Sequence, residues 1–319
     1  MSDDSNYQNQ TQKPILKPIQ KPFLKWVGGK TQLINQILPL FPKNINNYYE
    51  PFLGGGSILF ALLTSIQNNE ITVHGNIYAF DNNKHLIDLY NDIKFNKNDL
   101  FKYIISFKEK YEKITSMEVN RNPKNLNEGL TSKESFYYFI RNLYNEFIQQ
   151  NNSNTIAVSA LFLLLNKLGF RGLYRTGPNG FNVPFGHYKN TPSIITKPEI
   201  DTISSLIQNV SFIHSDFQET LQSKLFEKND FIYLDPPYVP ETSKSFVKYN
   251  LDGFNIQKHK LLFQLLKSNK NLKFIMSNSD VPLVKETFSE YKIFTIPAKR
   301  RINSKNPESI INEIIIINI

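Results

Sequence analysis

The chain has 319 residues, 40% of them hydrophobic and 20% charged, enough for the packed core of one large domain and too apolar for global disorder. Lysine and arginine number 37 against 28 aspartate and glutamate, a net charge of +9, which suits a polyanionic partner without requiring one. There is no cysteine, and the five histidines show no metal-ligand spacing; disulfides and thiolate chemistry are excluded, and no metal is expected.

Residues 1–12 are rich in Asn, Gln and Ser and lack the basic start and apolar block of a signal peptide. Lys13-Pro14, Lys17-Pro18 and Lys21-Pro22 then repeat every fourth residue. Proline removes a helix donor and restricts the residue before it, so a disordered, extended basic arm is expected over 1–22. The folded part begins at Phe23. Residues 31–40 read as a helix stopped before Pro42, and 47–52 as a short strand running into Gly54-Gly55-Gly56. A helix over 57–66 follows, then a strand over 75–80 ending on Asp81, then a helix over 86–95. Strand, glycine turn, helix, strand and acid make the nucleotide-binding half of an open α/β sheet.

Residues 95–165 keep a helical period, with polar breaks at 121–127 and 149–154. Residues 173–176 and 181–183 flank Gly177-Pro178-Asn179-Gly180, which predicts a β-hairpin. Strands return at 210–214, 231–234, 273–276, 291–296 and 313–319. The expected organisation is an α/β domain of residues 23–94 and 193–319, interrupted by a mainly helical insertion over 95–192. Apolar runs such as 160–165 and 314–317 fall far short of the ~18 residues of a membrane span. An intracellular protein with no membrane association and no obligatory protein partner is expected.

Two glycine-rich segments invite readings that the residues refuse. Gly28-Gly29-Lys30-Thr31 suggests a phosphate-binding loop, but the glycine required six residues before the lysine is Leu24. Gly54-Gly55-Gly56 with Asp81 suggests a dinucleotide site, but its third glycine is Leu59. A nucleoside without a pyrophosphate fits better. Its close approach would be allowed by the glycines and its ribose hydroxyls held by Asp81.

Asp235-Pro236-Pro237-Tyr238 follows the apolar stretch 231–234, at the strand end where open α/β sheets bind ligands. Two prolines stiffen the chain and present the Asp235 carboxylate and the Pro236 carbonyl as fixed acceptors, beside the flat face of Tyr238. That arrangement suits an exocyclic amine. Accepting both hydrogens bends the nitrogen toward sp3 and frees its lone pair to attack an electrophilic methyl group. Taken singly, the tetrapeptide is equally a rigid turn. Trp26 is equally a core anchor, Lys25 and Lys30 solvated charges, Asp81 a helix cap, Arg175 an exposed side chain and Phe170 simple packing.

The order of the segments adds more. Phe23-Leu24-Lys25-Trp26-Val27-Gly28-Gly29-Lys30, Tyr49-Glu50-Pro51-Phe52-Leu53-Gly54-Gly55-Gly56-Ser57 and Asp81-Asn82-Asn83 with Leu86-Ile87 and Tyr90-Asn91 come first. The stretch 166–188, then Asp235-Pro236-Pro237-Tyr238 and Ser277-Asn278, complete the set. From Phe23 onward the chain resembles the Dam family of DNA adenine-N6 methyltransferases of the D12 class. The resemblance implies an α/β, Rossmann-like seven-stranded sheet, doubly wound, with residues 95–192 as an inserted DNA-recognition domain bearing the hairpin. It implies catalysis by Asp235, Pro236, Pro237 and Tyr238. It implies S-adenosylmethionine as cofactor, bound by Trp26, Lys30, Glu50, Pro51, Phe52, Gly54, Gly56, Ser57, Asp81, Asn82, Asp216, Phe217 and Asp235. Lys25, Phe170, Leu173, Arg175, Pro184 and Tyr188 would contact double-stranded DNA with a flipped-out adenine, in GATC. The family's basic hairpin tip is the milder Thr176-Gly177-Pro178-Asn179 here, and His187 replaces a more basic residue. A cytosine-N4 or RNA adenine methyltransferase, or a catalytically silent DNA-binding protein, are the alternatives.

Overall fold

Seven strands share one sheet in a computed structural model that describes residues 16–150, 155–222, 226–240, 254–269, 272–299 and 310–319. In chain order we label the sheet strands and the hairpin β1 (Tyr48–Glu50), β2 (Ile77–Asp81), β3 (Thr176–Gly177), β4 (Gly180–Phe181), β5 (Val210–His214), β6 (Phe231–Leu234), β7 (Lys273–Ser279), β8 (Lys292–Lys299) and β9 (Ile310–Asn318). The sheet order is β8-β9-β7-β6-β1-β2-β5. Its pairs are parallel except those of β9, which runs antiparallel to both β8 and β7. The expected seven-stranded α/β sheet is the observed one, and its two C-terminal strands, β8 and β9, form an antiparallel pair.

Strand alternation sorts the core into two clusters. Tyr48, Ala79, Phe231, Tyr233, Ile275, Ile315 and Ile317 join one; Tyr49, Phe80, Ile232, Leu234, Phe274, Met276, Ile314 and Ile316 join the other. Successive side chains of a strand point to opposite faces, so a sheet covered on both sides reads as unbroken apolar sequence. The first face is covered by α1 (Ser57–Gln67), α2 (Lys84–Phe95), α3 (Lys97–Glu112), α4 (Lys133–Gln149), α5 (Thr155–Leu168) and α6 (Lys197–Leu206). The second is covered by α7 (Phe217–Gln222), α8 (Ile256–Ser268) and α9 (Pro282–Thr287). α1 is apolar all round, and its residues 57–65 are all buried, as befits a central helix.

The helical insertion has no separate core. Its Ile104, Phe136, Tyr144, Leu161 and Leu165 belong to the same cluster as the sheet residues. Ser159 of α5 donates to the buried Asp92 of α2 at 2.6 Å.

Two local expectations change. The helix over 31–40 is reduced to the turns Ile34–Ile37 and Leu38–Leu40, because Pro39 supplies no backbone donor. The hairpin is shorter than its flanking sequence: the carbonyls of Val183 and Pro184 accept from Tyr137 and from the Phe170 N–H instead of pairing across it. Within the arm expected over 1–22, Lys17 and Asn68 exchange backbone–amide bonds of 2.9 and 3.0 Å and the Gln20 N–H donates to Thr64. Residues 1–15 and the polar break at 151–154 lie outside the described residues. Among the described residues, no helix is long and apolar enough to cross a membrane.

Candidate active site

The parallel strands β1, β2 and β6 end at one edge of the sheet, and antiparallel β9 begins there. Alternation sends Glu50, Asp81, Asp235 and Glu313 to the face occupied by Tyr48, Ala79, Tyr233 and Ile315. Four acids thus gather on one side, around the point between β6 and β1 where the strand order reverses. Open α/β sheets bind their ligands at this crevice.

Asp235 is 18% exposed, and its Oδ1 lies 2.7 Å from Lys30 Nζ. Its Oδ2 has no hydrogen-bond partner among the described residues. Lys30 is itself buried. Its backbone N–H donates to Ser57 Oγ at 3.0 Å, its ammonium donates to the Gly28 carbonyl at 2.6 Å, and it stands 4.7 Å from the centre of the Tyr238 ring. Burial pushes the Asp235 carboxyl up to about 6, against the opposing pull of Lys30 and with a further push from Glu313. Pro236 is buried and Pro237 exposed. The Tyr238 hydroxyl donates to Glu313 Oε2 at 2.6 Å.

The glycine loop enters α1 through two left-handed residues, Gly54 (φ 50°) and Gly56 (φ 70°), conformations that a Cβ disfavours. A Cβ on Gly54 or Gly55 would also lie 2.9 Å from Trp26, and one on Gly56 2.7 Å from the Tyr90 hydroxyl. The space the glycines open is therefore filled partly by Trp26, which also stacks on Tyr174. Asp81 accepts from the Gly54 N–H and the Asn83 N–H, both at 2.9 Å. It is a clamp on the loop, while Asn83 caps α2 through Leu86. Burial raises the Asp81 carboxyl above its usual range, and the two N–H donors oppose it.

Glu50 is fully buried and accepts from Tyr48 at 2.7 Å. Burial pushes it up to about 8; the Tyr48 bond opposes this, while Asp235 and Asp81 add to it. Beside it, Pro51 is buried, and Phe52 stacks on Phe217 with both rings meeting Phe254. Asp216 accepts from the Gln218 N–H and lies 3.8 Å from Lys258; Asn82 is exposed. Ion pairs to Glu50, Asp81 and Asp235 come, among the described residues, from Lys30 alone. Such a donor set fits a ligand that carries net positive charge, a nucleoside framed by aromatic rings and acids. Among the described residues, no group of three or more acids and histidines is placed to hold a metal ion.

A second group forms around the end of α5. Asn166 accepts from the Lys25 N–H and donates to the Lys25 and Gly172 carbonyls. Lys25 Nζ lies 4.0 Å over the Tyr188 ring, and the Tyr188 hydroxyl donates to the Gly169 carbonyl at 2.7 Å. The Phe170 N–H donates to the Pro184 carbonyl, leaving the ring 41% exposed next to an exposed Pro184. Leu173 is half-buried. Arg175 is exposed on the hairpin and donates to Asn182 through Nε at 2.6 Å and Nη2 at 3.2 Å. The structure thus brings Lys25, Phe170, Pro184 and Tyr188 together, with Arg175 standing off on the hairpin. Lys25 and Lys30, five residues apart, are separated by at most about 18 Å of chain, so this group and Asp235 border a common region.

Sequence reading missed Glu313, Tyr48 and Phe254, and gave Asn166 only as the first residue of the stretch 166–188. Glu313 left a signal, a lone acid in an isoleucine run; a half-buried charge beside such a run calls for a partner. Tyr48 and Phe254 left none.

Residues 26–302 match the profile of the family described as D12 class N6 adenine-specific DNA methyltransferase. The chain is 32% identical over 295 residues to "Type II methyltransferase M.MjaIII" of Methanocaldococcus jannaschii, covering 89% of this chain and 93% of that protein. It is 31% identical over 304 residues to "DNA adenine methylase" of Haemophilus influenzae, covering 94% and 92%, and 27% identical over 286 residues to that of Escherichia coli strain K12, covering 88% and 89%. The cytosine, RNA and silent alternatives give way to an enzyme acting on adenine in DNA. The match runs from the Trp26 segment through the glycine loop, the insertion and Asp235, and on it the chain belongs to the D12 class of N6 adenine-specific DNA methyltransferases.

Proposed function

We propose that the enzyme transfers the methyl group of S-adenosylmethionine to N6 of an adenine flipped out of double-stranded DNA, at GATC, with residues 95–192 as the recognition part. The observation that supports this most is the half-engaged Asp235, its Oδ1 paired with Lys30 and its Oδ2 without a hydrogen-bond partner among the described residues. S-adenosylmethionine supplies a methyl group on a sulfonium centre, with an ammonium that adds to the positive charge. Glu50 and Asp235 offer carboxylates to such charge, Asp81 offers acceptors to ribose hydroxyls, and Phe52 and Phe217 frame the adenine. Trp26 and Ser57 hold the loop of Gly54 and Gly56, with Pro51, Asn82 and Asp216 at its margins.

Asp235 Oδ2 and the Pro236 carbonyl accept the two N6 hydrogens of the target, while the Tyr238 ring stacks on the base. Lys30 keeps Asp235 ionised, which keeps it an acceptor. When N6 gains a methyl group it sheds a proton, and the Asp235 carboxylate is placed to take it. A paired adenine hides its amino group, so the base must leave the duplex. Phe170 is exposed enough to fill the vacated stack.

For the sequence read, Arg175 carries the planar fork that matches guanine O6 and N7, Leu173 and Pro184 suit a thymine methyl, and Lys25 suits a further guanine. The test is to treat random-sequence DNA with the enzyme and labelled S-adenosylmethionine and to sequence the methylated adenines. GATC is the expected consensus. Another consensus overturns the hairpin assignment alone, whereas transfer to no DNA overturns the reading.

A further inference from the structure

Glu313 is the one charged residue of β9, in a strand whose residues 314–317 are buried isoleucines. It sits opposite Ser279 of β7, two strands away from β6 and Asp235, a separation of about 9–10 Å by strand spacing. Tyr238 spans that gap. Its hydroxyl donates to Glu313 Oε2 at 2.6 Å, and its ring lies beneath the Lys30 ammonium that pairs with Asp235. The chain beyond the ring is pinned separately. Asn278 Oδ1 accepts from the Val239 N–H at 3.1 Å, and Ser279 Oγ donates to the Val239 carbonyl at 2.6 Å. Those bonds fix backbone and leave the ring torsions of Tyr238 to its own contacts. Among the described residues, Glu313 makes the hydrogen bond that fixes the hydroxyl end.

We infer that Glu313 is a positioning residue for methyl transfer, which by accepting the Tyr238 hydroxyl holds the ring in the plane against which the target adenine stacks. The inference rests on the reading of Asp235 and Tyr238 given above and deepens it. The antiparallel insertion of β9 is what makes the contact available. A parallel strand at that place in the sheet would bring its last residues to this edge, whereas β9 brings its first.

The test uses the full chain and a duplex with one target adenine, in single-turnover methyl transfer, with 2-aminopurine at the target position as a second readout. Glu313→Ala is expected to slow transfer about tenfold, the scale of one charge-assisted hydrogen bond. It should change the 2-aminopurine signal while leaving S-adenosylmethionine affinity within about twofold by calorimetry. Glu313→Gln should recover most of the loss, because its amide oxygen still accepts from the hydroxyl. Tyr238→Phe should lose a similar amount, and Tyr238→Phe combined with Glu313→Ala no more than the slower single variant. Parental rate in Glu313→Ala, or losses that multiply in the double variant, would overturn the inference. If Glu313→Ala does not fold, Tyr238→Phe decides with the strand untouched, and an unchanged rate and 2-aminopurine signal there overturn it. A parent enzyme that transfers no methyl to adenine overturns the functional reading instead, and this inference with it.

Discussion

Burial raises the Asp235 carboxyl to about 6 even with Lys30 at 2.7 Å, so its charge is lost within a unit or so of neutrality. In the proposed role as amine acceptor it must be ionised, and the single-turnover rate should therefore fall as pH drops through about 6 and level off above it. A rate flat from pH 5 to 8 would exclude that role. Removing the acceptor in Asp235→Ala forfeits a bond type worth ~1.5–3 kcal/mol, a slowing of roughly 10- to 150-fold. It also leaves the buried Lys30 ammonium with the Gly28 carbonyl as its remaining described hydrogen-bond partner, beside the Tyr238 ring. Asp235→Asn, which keeps an acceptor oxygen for Lys30, separates chemistry from folding, and a folded Asp235→Asn working at the parental rate would remove Asp235 from the mechanism. Glu50 is shifted in the same direction, with consequences for stability and binding. Its carboxyl is raised from 4.5 to about 8, so the folded chain holds a proton that the unfolded chain has lost. Stability from this group falls as pH rises from 4.5 toward 8 and is level above. A positively charged ligand favours the ionised form, so S-adenosylmethionine binding at pH 7 should expel a proton from Glu50. Calorimetry in two buffers of different ionisation enthalpy measures it. Glu50→Gln should bind more weakly, release no such proton and melt higher at pH 8; proton release unchanged in that variant would place it elsewhere.

At the scale of elements, the strands were legible because both faces of the sheet are covered, so 231–234 and 314–317 read as apolar runs with turns at their ends. The Asp235 segment was legible because two prolines close a strand, a pattern with a local cause. What escaped was set by packing. Glu313 meets Tyr238 across 75 residues of chain, and Asn166 reaches Lys25 across 141, distances at which no period or spacing speaks. The contact at the glycines escaped for the same reason, since Trp26, distant in sequence, lies against the space they leave. The hairpin bears its own prediction. Arg175 is held by Asn182 through two of its nitrogens, which aligns the guanidinium plane with the hairpin at the cost of donors. Arg175→Ala should relax the choice at one guanine–cytosine position by about 1–3 kcal/mol, leaving the other positions alone. Loss of a phosphate-contacting lysine would instead weaken all sites alike. Methylated-site sequencing distinguishes the two, and unaltered selectivity would take Arg175 off the reading head.

For the whole molecule, the decisive feature is the single cluster that runs from the sheet through α1 and α2 into α4 and α5. Recognition and chemistry are proposed for different stretches of chain, yet their side chains share one core, and Lys25 is tied to Asn166 while Lys30 is tied to Asp235. The flipped base proposed above would therefore pass between parts that hold fixed distances, which is what a reaction over a few ångströms demands. The same continuity predicts how the protein comes apart. If residues 95–192 were an independent body, heating would melt it separately from the sheet. With a shared core the chain should unfold in one cooperative transition, and a fragment of residues 95–192 should not fold alone, having lost the α2 and α6 surfaces it packs on. Ser159→Ala probes the seam directly. It removes the 2.6 Å donor to the buried Asp92, leaving Asn96 at 3.0 Å as the described side-chain donor, at a cost of about 1–3 kcal/mol. That loss should lower the midpoint of the one transition by a few degrees, by roughly 2–4 °C per kcal/mol or less in a chain of this size. Calorimetry that resolves two transitions, with Ser159→Ala shifting one of them, would show instead that the insertion stands on its own.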